Sequence, residues 1–265
     1  MKKILFLHGF FATGSCPMAR ALREAFDGQA IVLTPDLPLH PKEALKYIRI
    51  IIDKEKPDLL IGNSCGAFLA QMLSPVVGIP ALLGNPHFKM TDFLSGRIGE
   101  YEYKAPRMDG NQKIVIDESL IHEFGELEAT QFDCCNPYYK DRVWGLFGEQ
   151  DTLANFKTLF LQHYNNSYHF PGGHTPTEQE VRHLEMRITE QGRDAHDRRK
   201  HLCKECPATV AYKQVWLLLV NKHAYVFQCF LGMERQIGSQ HDGLAIKGFL
   251  QCSRHRTTAS SKETM

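Results

Sequence analysis

The segment that most constrains the fold of this chain is PDLLIGNSCGAFLAQML. It predicts a short strand, Leu59–Ile61, and a helix, Ala67–Leu73, joined by the pattern G-x-S-x-G around Ser64. A serine on such a sharp turn has a strained backbone, and the small residues Gly62 and Gly66 permit the close approach of chain that the turn requires. The turn exposes the hydroxyl and directs the helix N-terminus at the reacting group. We therefore predict that Ser64 is a nucleophile; the alternative is an ordinary glycine-rich turn.

The rest of residues 1–182 alternates short apolar runs with helical spacing of apolar residues, which is typical of a mostly parallel sheet flanked by helices. The predicted strands are Ile4–Leu7, Ala30–Leu33, Leu59–Ile61, Ile79–Leu83, Arg142–Phe147 and Ser167–Phe170. The predicted helices are Met18–Phe26, Pro41–Asp53, Ala67–Leu73, Glu118–Glu128 and Thr152–His163, and a last helix begins at Thr177–Val181. With the serine turn in its middle, this pattern predicts an α/β fold of the α/β-hydrolase type.

A serine nucleophile needs a base, and the base needs a carboxylate that orients it. In α/β-hydrolases the acid and then the histidine follow the nucleophile, each after a late strand. Asp151 stands after the predicted strand Arg142–Phe147 and before the helix Thr152–His163. We therefore predict that Asp151 is the acid. Capping of that helix is its alternative role, and Glu149 is the reserve acid.

His174 is the predicted general base among the 13 histidines of the chain. It follows a Pro-Gly-Gly turn after the last strand, and the glycines let the loop fold back toward the serine. His163 and His169 belong to a predicted helix end and a strand, which indicates structural roles. His87 and His122 lie in the irregular middle of the chain and are candidates to line a pocket.

The loop after the first predicted strand, HGFF, is the candidate for half of an oxyanion hole. Such a hole combines the backbone N–H of the residue after the nucleophile, here Cys65, with an N–H from this loop. Gly9 allows close approach, and Phe10 or Phe11 can offer its amide. We expect Cys65 to act through its backbone, with its thiol directed away from the serine hydroxyl.

The opening stretch MKKILFLHGFFATGSC has a second interpretation, as an export signal that ends at a lipidated Cys16. An export signal needs an apolar run of about 7 to 15 residues, and His8 and Gly9 interrupt this one. The strand-and-loop interpretation is therefore favoured, with a cytoplasmic location. The chain also has no run of the roughly 18 to 20 apolar residues that a membrane span requires.

The segments KKILFLHGFF, LTPDLPLHP, LLIGNSCGAF, LLGNP and FPGGHTP together resemble the YqiA/YcfP-like esterase family of small α/β-hydrolases. The resemblance covers about residues 1–181. It implies a compact α/β-hydrolase with esterase-type activity and a triad of Ser64, Asp151 and His174, the same residues that the motifs indicate.

The charge distribution indicates a boundary near residue 190. Residues 1–192 carry 19 basic and 24 acidic residues, whereas residues 193–265 carry 12 and 6. We predict a hydrolase domain over 1–182, with a small cap at about 85–137, and a non-family extension over 183–265 that is partly disordered. A fusion or a change of reading frame near residue 182 would explain the extension. The cap aromatics that are candidates to shape a substrate pocket are Phe88, Phe93, Tyr101 and Tyr103.

The function favoured by these residues is hydrolysis of a small-molecule carboxylic ester or thioester. The alternatives are a non-catalytic binding protein on the same fold and an inactive product with a replaced C-terminus. Nucleic-acid binding is disfavoured because the basic residues of the extension are dispersed. Cys203 and Cys206 lack the second ligand pair of a zinc site, so neither a metal nor a cofactor is expected. The sequence does not determine the oligomeric state.

Overall fold

The computed structural model describes residues 1–135, 137–177 and 180 of the chain. The strands are β1 Lys2–Leu7, β2 Ala30–Leu33, β3 Leu59–Asn63, β4 Ala81–Gly84, β5 Gly99–Glu102, β6 Lys113–Ile116, β7 Val143–Gly148 and β8 Asn166–Phe170. The helices are α1 Pro17–Ala25, α2 Pro41–Glu55, α3 Cys65–Val77, α4 Met90–Ser95, α5 Glu118–Glu128, α6 Pro137–Lys140 and α7 Lys157–His163.

Six strands form one parallel sheet in the order β2-β1-β3-β4-β7-β8, which confirms the predicted fold class. The chain leaves β1 for β2 on one side and returns to β3 on the other, so the direction of winding changes between β1 and β3. In open α/β sheets, ligands bind outside the carboxyl ends of the strands at such a point. Ser64 and the His8–Phe11 loop follow β3 and β1, so both lie at this position.

The four inner strands of the sheet, β1, β3, β4 and β7, are mostly buried, because helices cover both faces of the sheet there. All five residues of β3 are buried. In β1, Leu5 and Leu7 belong to a core cluster that contains residues of α2 and α3. The alternate residues Ile4 and Phe6 belong to a second cluster with α1 on the other face. This alternation fixes the register of β1 and therefore the position at which the His8–Phe11 loop begins.

A long insertion joins β4 to β7 and contains α4, an antiparallel hairpin of β5 and β6, α5 and α6. The sequence predicts α5 but not the hairpin, whose two strands have only four residues each. The hairpin end lies against the loop after β1, since Lys104 N donates to Phe11 O at 3.0 Å and Ser15 Oγ donates to Pro106 O at 2.7 Å. That this insertion acts as a cap stays a prediction.

The predicted helix Thr152–His163 is wrong at its start, because α7 begins only at Lys157. Most other predicted elements are displaced at their ends by one or two residues. The predicted domain boundary near 182, the extension 183–265 and most of the helix 177–181 lie outside the described residues. No helix in the described part of the chain is long and apolar enough to cross a membrane.

Candidate active site

Ser64 occupies the turn between β3 and α3 with φ 56° and ψ −118°. Positive φ is uncommon for a residue with a side chain, and such strain persists only where the surrounding structure fixes it. Here the turn is held between a fully buried strand and a helix with ten buried residues. The strained turn predicted from the G-x-S-x-G pattern is therefore present at Ser64.

The two glycines of the motif are needed because a side chain at either position would clash with neighbouring main chain. A Cβ on Gly62 would lie 2.4 Å from Gly66 O and 2.5 Å from Ala67 Cα. A Cβ on Gly66 would lie 2.0 Å from Leu7 O, within the last residue of β1. The first glycine thus lets β3 turn directly into α3, and the second lets α3 pack its first turn on β1.

Asp151 and His174 form a hydrogen-bonded pair, with Nδ1 of the histidine 2.9 Å from Oδ2 of the carboxylate. Their side chains are 3% and 19% exposed, respectively. Because an ionised carboxylate only accepts hydrogen bonds, Nδ1 is the donor in this contact, and in the neutral ring Nε2 is then the acceptor. The reserve acid, Glu149, is exposed and does not form this contact. The structure therefore brings together the predicted acid and base.

Asp151 does not cap the following helix, because α7 begins six residues later with Phe156 as its N-cap. Its Oδ1 instead accepts backbone N–H bonds from Leu153 at 2.8 Å and Ala154 at 3.2 Å. One oxygen thus fixes the local turn while the other holds His174. The hydrogen bonds from its own loop therefore fix the orientation of the carboxylate that contacts the imidazole.

The His8–Phe11 loop passes over Ser64. A Cβ on Gly9 would lie 3.5 Å from Ser64 Cβ and 4.0 Å from Ser64 Oγ, so Gly9 is adjacent to the hydroxyl. Cys65 is the first residue of α3, and an N–H at this position has no acceptor inside its helix. The geometry thus brings the loop that carries Phe10 and Phe11 beside Ser64, with the Cys65 amide on the following residue. Their role as an oxyanion hole stays a prediction.

The Cys65 thiol is buried, and burial raises its pKa to about 12. A thiol with so high a pKa is almost entirely protonated at neutral pH and is a poor nucleophile.

His8 lies at the start of the loop beside Ser64, and its side chain has no role predicted from the sequence. It is buried, its Nδ1 donates to Gly9 O at 2.8 Å, and its Nε2 accepts from Leu37 N at 3.0 Å. Burial lowers the pKa of His8 to about 4, so the ring is neutral at pH 7, and a neutral ring has the one donor and one acceptor that these two bonds require. The ring joins the loop after β1 to the segment after β2. Its place directly before Gly9 at the end of a buried strand was the available signal.

Of the two histidines predicted to line a pocket, His87 lies beside Ser64. The other, His122, is largely exposed and contacts Glu126. The His87 backbone N–H donates to Ser64 O at 3.3 Å. Its buried ring contacts Phe93 and Phe156 edge to face, with centroid distances of 5.1 and 4.9 Å. Burial, and next the charge of His174, lower the pKa of His87 to about 4.

An open cleft lies beside the loop after β1, with about 310 Å³ of empty space including the part open to solvent. Gly9, Phe10 and Cys65 form one wall. The other apolar side chains of the lining are Leu37, Pro38, Leu39, Pro41, Ala44, Leu69, Tyr103 and Phe124. Of the four cap aromatics, Tyr103 is therefore the one in this lining.

Phe88 is fully buried in the core, which argues against a role for it in substrate contact.

The described residues contain no group of three or more His, Cys, Asp or Glu side chains arranged to hold a metal ion. Cys203 and Cys206 lie outside those residues, so the expectation of no metal stays a prediction.

A parallel sheet with a strained serine turn after a central strand, and an Asp–His pair on loops after two later strands, defines an α/β-hydrolase-fold protein. Solved structures with this fold are similar. Est1E from Butyrivibrio proteoclasticus is 15% identical with a TM-score of 0.56, over 72% of this chain and 88% of that one. A monoacylglycerol lipase from Paleococcus ferrophilus is 15% identical with a TM-score of 0.53, over 73% and 94%.

The chain belongs to the uncharacterised protein family UPF0227, whose family model matches residues 3–169. This confirms the family resemblance seen in the sequence. Curated relatives include UPF0227 proteins of Shewanella sp. strains MR-4 and ANA-3, each 24% identical over an alignment of 151 residues; the alignment covers 51% of this chain and 84% of the relative. The matched residues include Ser64 and Asp151 and end before His174.

Proposed function

We propose that this protein is a serine hydrolase that cleaves a small carboxylic ester or thioester. The observation that carries the proposal is the Asp151–His174 pair, which stands on loops at the same sheet edge as the strained Ser64 turn. A histidine held by a buried carboxylate through Nδ1 presents Nε2 as a base, which is the arrangement that activates a serine hydroxyl. Several solved structures with the same fold are named as a lipase, lipolytic enzymes or an esterase domain, which supports this class of reaction.

In the proposed mechanism, His174 Nε2 takes the proton of Ser64 as Oγ attacks the substrate carbonyl carbon. Asp151 keeps the imidazole oriented and stabilises its positive charge. The backbone N–H of Cys65 and that of Phe10 or Phe11 donate to the developing oxyanion. His174 then gives the proton to the leaving alcohol or thiol. Water, deprotonated in turn by His174, releases the acid and regenerates Ser64.

The cleft beside the loop after β1 is the proposed site of the acyl group. It shares Phe10 and Cys65 with the proposed oxyanion hole, and the other side chains of its lining are mostly apolar. An apolar recess next to the reacting carbonyl favours an acyl chain over a charged group, because a charged group loses its hydration there without a partner.

The proposal is tested by hydrolysis of p-nitrophenyl esters and acyl thioesters with graded acyl lengths. Ser64→Ala is expected to abolish hydrolysis. Ser95→Ala makes the same change at an exposed serine on α4 and is expected to leave the rates unchanged. A folded wild-type protein without turnover of any ester or thioester would favour the alternative of a binding protein on this fold. Activity that survives Ser64→Ala would exclude the proposed nucleophile.

A further inference from the structure

Asn85 is a fully buried polar residue that the proposed mechanism does not use. It follows β4 directly, within the LLGNP segment, and its exposure is 0%. Its backbone has φ 41°, a left-handed conformation in which asparagine is enriched among residues with side chains. Since β4 lies between β3 and β7 in the sheet, Asn85 stands between the Ser64 turn and the Asp151 turn.

The side chain of Asn85 joins the loops that carry the acid and the base. Its Nδ2 donates to the backbone oxygens of Gly173 at 3.0 Å and His174 at 2.8 Å. Its Oδ1 accepts from Gly148 N, at the end of β7, at 2.8 Å. Two carbonyl acceptors on one side and an N–H donor on the other fix the orientation of the amide. All three bonds span more than sixty residues of sequence.

The backbone around Asn85 extends this connection to the nucleophile. Asn85 N donates to Leu146 O in β7 at 2.8 Å, and Ser64 N donates to the oxygen of the preceding residue, Gly84, at 2.9 Å. The segment from Gly84 to Asn85 is therefore hydrogen-bonded to the Ser64 turn, to β7 and to the His174 loop.

The His174 loop needs such an anchor because residues 171–177 contain no helix or strand. Its backbone packs tightly on the end of β7, where a Cβ on Gly148 would lie 2.3 Å from Gly173 O. Gln150 N also donates to Gly172 O at 2.9 Å, but this bond lies two residues before the histidine. The Asn85 amide is the side chain that binds the His174 backbone oxygen itself.

We infer that Asn85 is the positioning residue of the active site, holding the His174 loop in register with Asp151 through its side-chain amide. This inference rests on the proposed function for its effect on turnover, but not for its effect on the Asp–His contact. Only asparagine supplies two donors and one acceptor on a side chain this short. A displacement of a catalytic group by about 1 Å costs on the order of 100-fold in rate.

The test compares wild type with Asn85→Ala and Asn85→Asp. Asn85→Asp keeps the volume of the side chain but, when ionised, places a carboxylate against two carbonyl oxygens. Asn166→Ala is the matched control, because its Nδ2 also donates to a backbone oxygen, that of Asp141, outside these loops. Kinetic constants are measured with the best ester substrate and corrected for the folded fraction of each variant. The second readout is the far-downfield proton NMR resonance of His174 Nδ1–H, assigned by its loss in His174→Ala.

We expect kcat to fall about 10- to 100-fold in both Asn85 variants, with KM within about threefold of wild type. The Nδ1 resonance is expected to weaken or disappear in both, and to persist in Asn166→Ala. In Asn85→Asp, the resonance should partly recover as pH falls, because a protonated carboxyl group again offers one donor, whereas activity should not recover, because the same fall in pH protonates the His174 base.

A folded Asn85 variant with wild-type kcat and an intact resonance would overturn the inference, as would a loss of kcat that equals the unfolded fraction. Should Asn85→Ala not fold, Asn85→Asp decides by the same criteria. Should wild type hydrolyse no ester or thioester, the proposed function fails. The resonance then still tests whether Asn85 positions the Asp–His pair.

Discussion

Replacement of Gly66 by alanine tests the steric basis of the serine turn. The new Cβ would lie 2.0 Å from Leu7 O, 2.5 Å from Leu7 C and 2.6 Å from His8 O. Ordinary contacts at such a carbon begin near 3.4 Å, so α3 and β1 must separate by roughly an ångström. The clashing atoms belong to the main chain at the end of β1, and they cannot move aside as the end of a flexible side chain can.

The expected cost follows from two opposed effects. Overpacking of a close-packed core costs about 1–3 kcal/mol and sometimes more, and three main-chain clashes place Gly66→Ala at the upper end. The better helix propensity of alanine returns up to about 1 kcal/mol. We expect a net loss of about 2–3 kcal/mol in the free energy of unfolding, a large share of the total for a natural domain.

Gly125→Ala is the matched control, because Gly125 is also a helical glycine, in α5. Its added Cβ would lie 3.5 Å from Thr91 Cγ2, an ordinary contact. This variant is expected to be unchanged or up to about 1 kcal/mol more stable. Urea denaturation followed by circular dichroism measures both. The reasoning is refuted if Gly66→Ala loses less than about 0.5 kcal/mol, or if the two variants shift by the same amount.

Three further predictions concern ionisable groups of the site. Asp151→Asn should lower kcat/KM for a p-nitrophenyl ester by about 10³- to 10⁴-fold. Glu149→Gln is the same change at an exposed neighbour and should leave kcat/KM unchanged. Equal losses in the two variants would contradict the assignment of the acid. Burial lowers the pKa of His8 and His87 from 6.5 to about 4, so the free energy of unfolding should be highest above pH 6.5 and fall toward pH 4 by up to about 1.4 kcal/mol per pH unit for each histidine. Urea titrations between pH 4 and pH 6.5 measure this dependence of the free energy of unfolding on pH, and His87→Phe should reduce it. No dependence on pH from the two histidines would contradict their lowered pKa values. Because burial raises the pKa of the Cys65 thiol to about 12, iodoacetamide at pH 8 should leave it unmodified in the native protein, as peptide mass spectrometry can check; rapid alkylation would contradict its burial.

The sequence was sufficient to predict the strained turn at Ser64, because the geometry of that turn is local. The spacing of Gly62, Ser64 and Gly66 reflects contacts within one turn and with the neighbouring strand, so the motif carries its geometry with it. Asp151 and His174 were identified from their order after late strands, because parallel strands present their carboxyl ends at one edge. The six strands of the sheet were predicted from short apolar runs, which are also a local feature of the sequence.

The parts that the sequence did not predict depend on contacts between distant segments. The bonds of His8 to Leu37, and of Asn85 to the His174 loop, join residues 29 to 89 positions apart, and no local pattern encodes them. The start of α7 was misplaced because Asp151 binds the N–H groups of Leu153 and Ala154, which holds that segment in a turn. The β5–β6 hairpin has too few residues per strand for its alternation to be recognised.

Reaction of the full-length protein with a fluorophosphonate probe tests the central claim most directly, with the modified residue located by peptide mass spectrometry. The account predicts one adduct, on Ser64, that is absent from Ser64→Ala, strongly reduced in His174→Ala and unaffected by His122→Ala. An unlabelled Ser64 in folded protein, or labelling of equal rate in His174→Ala, would contradict it.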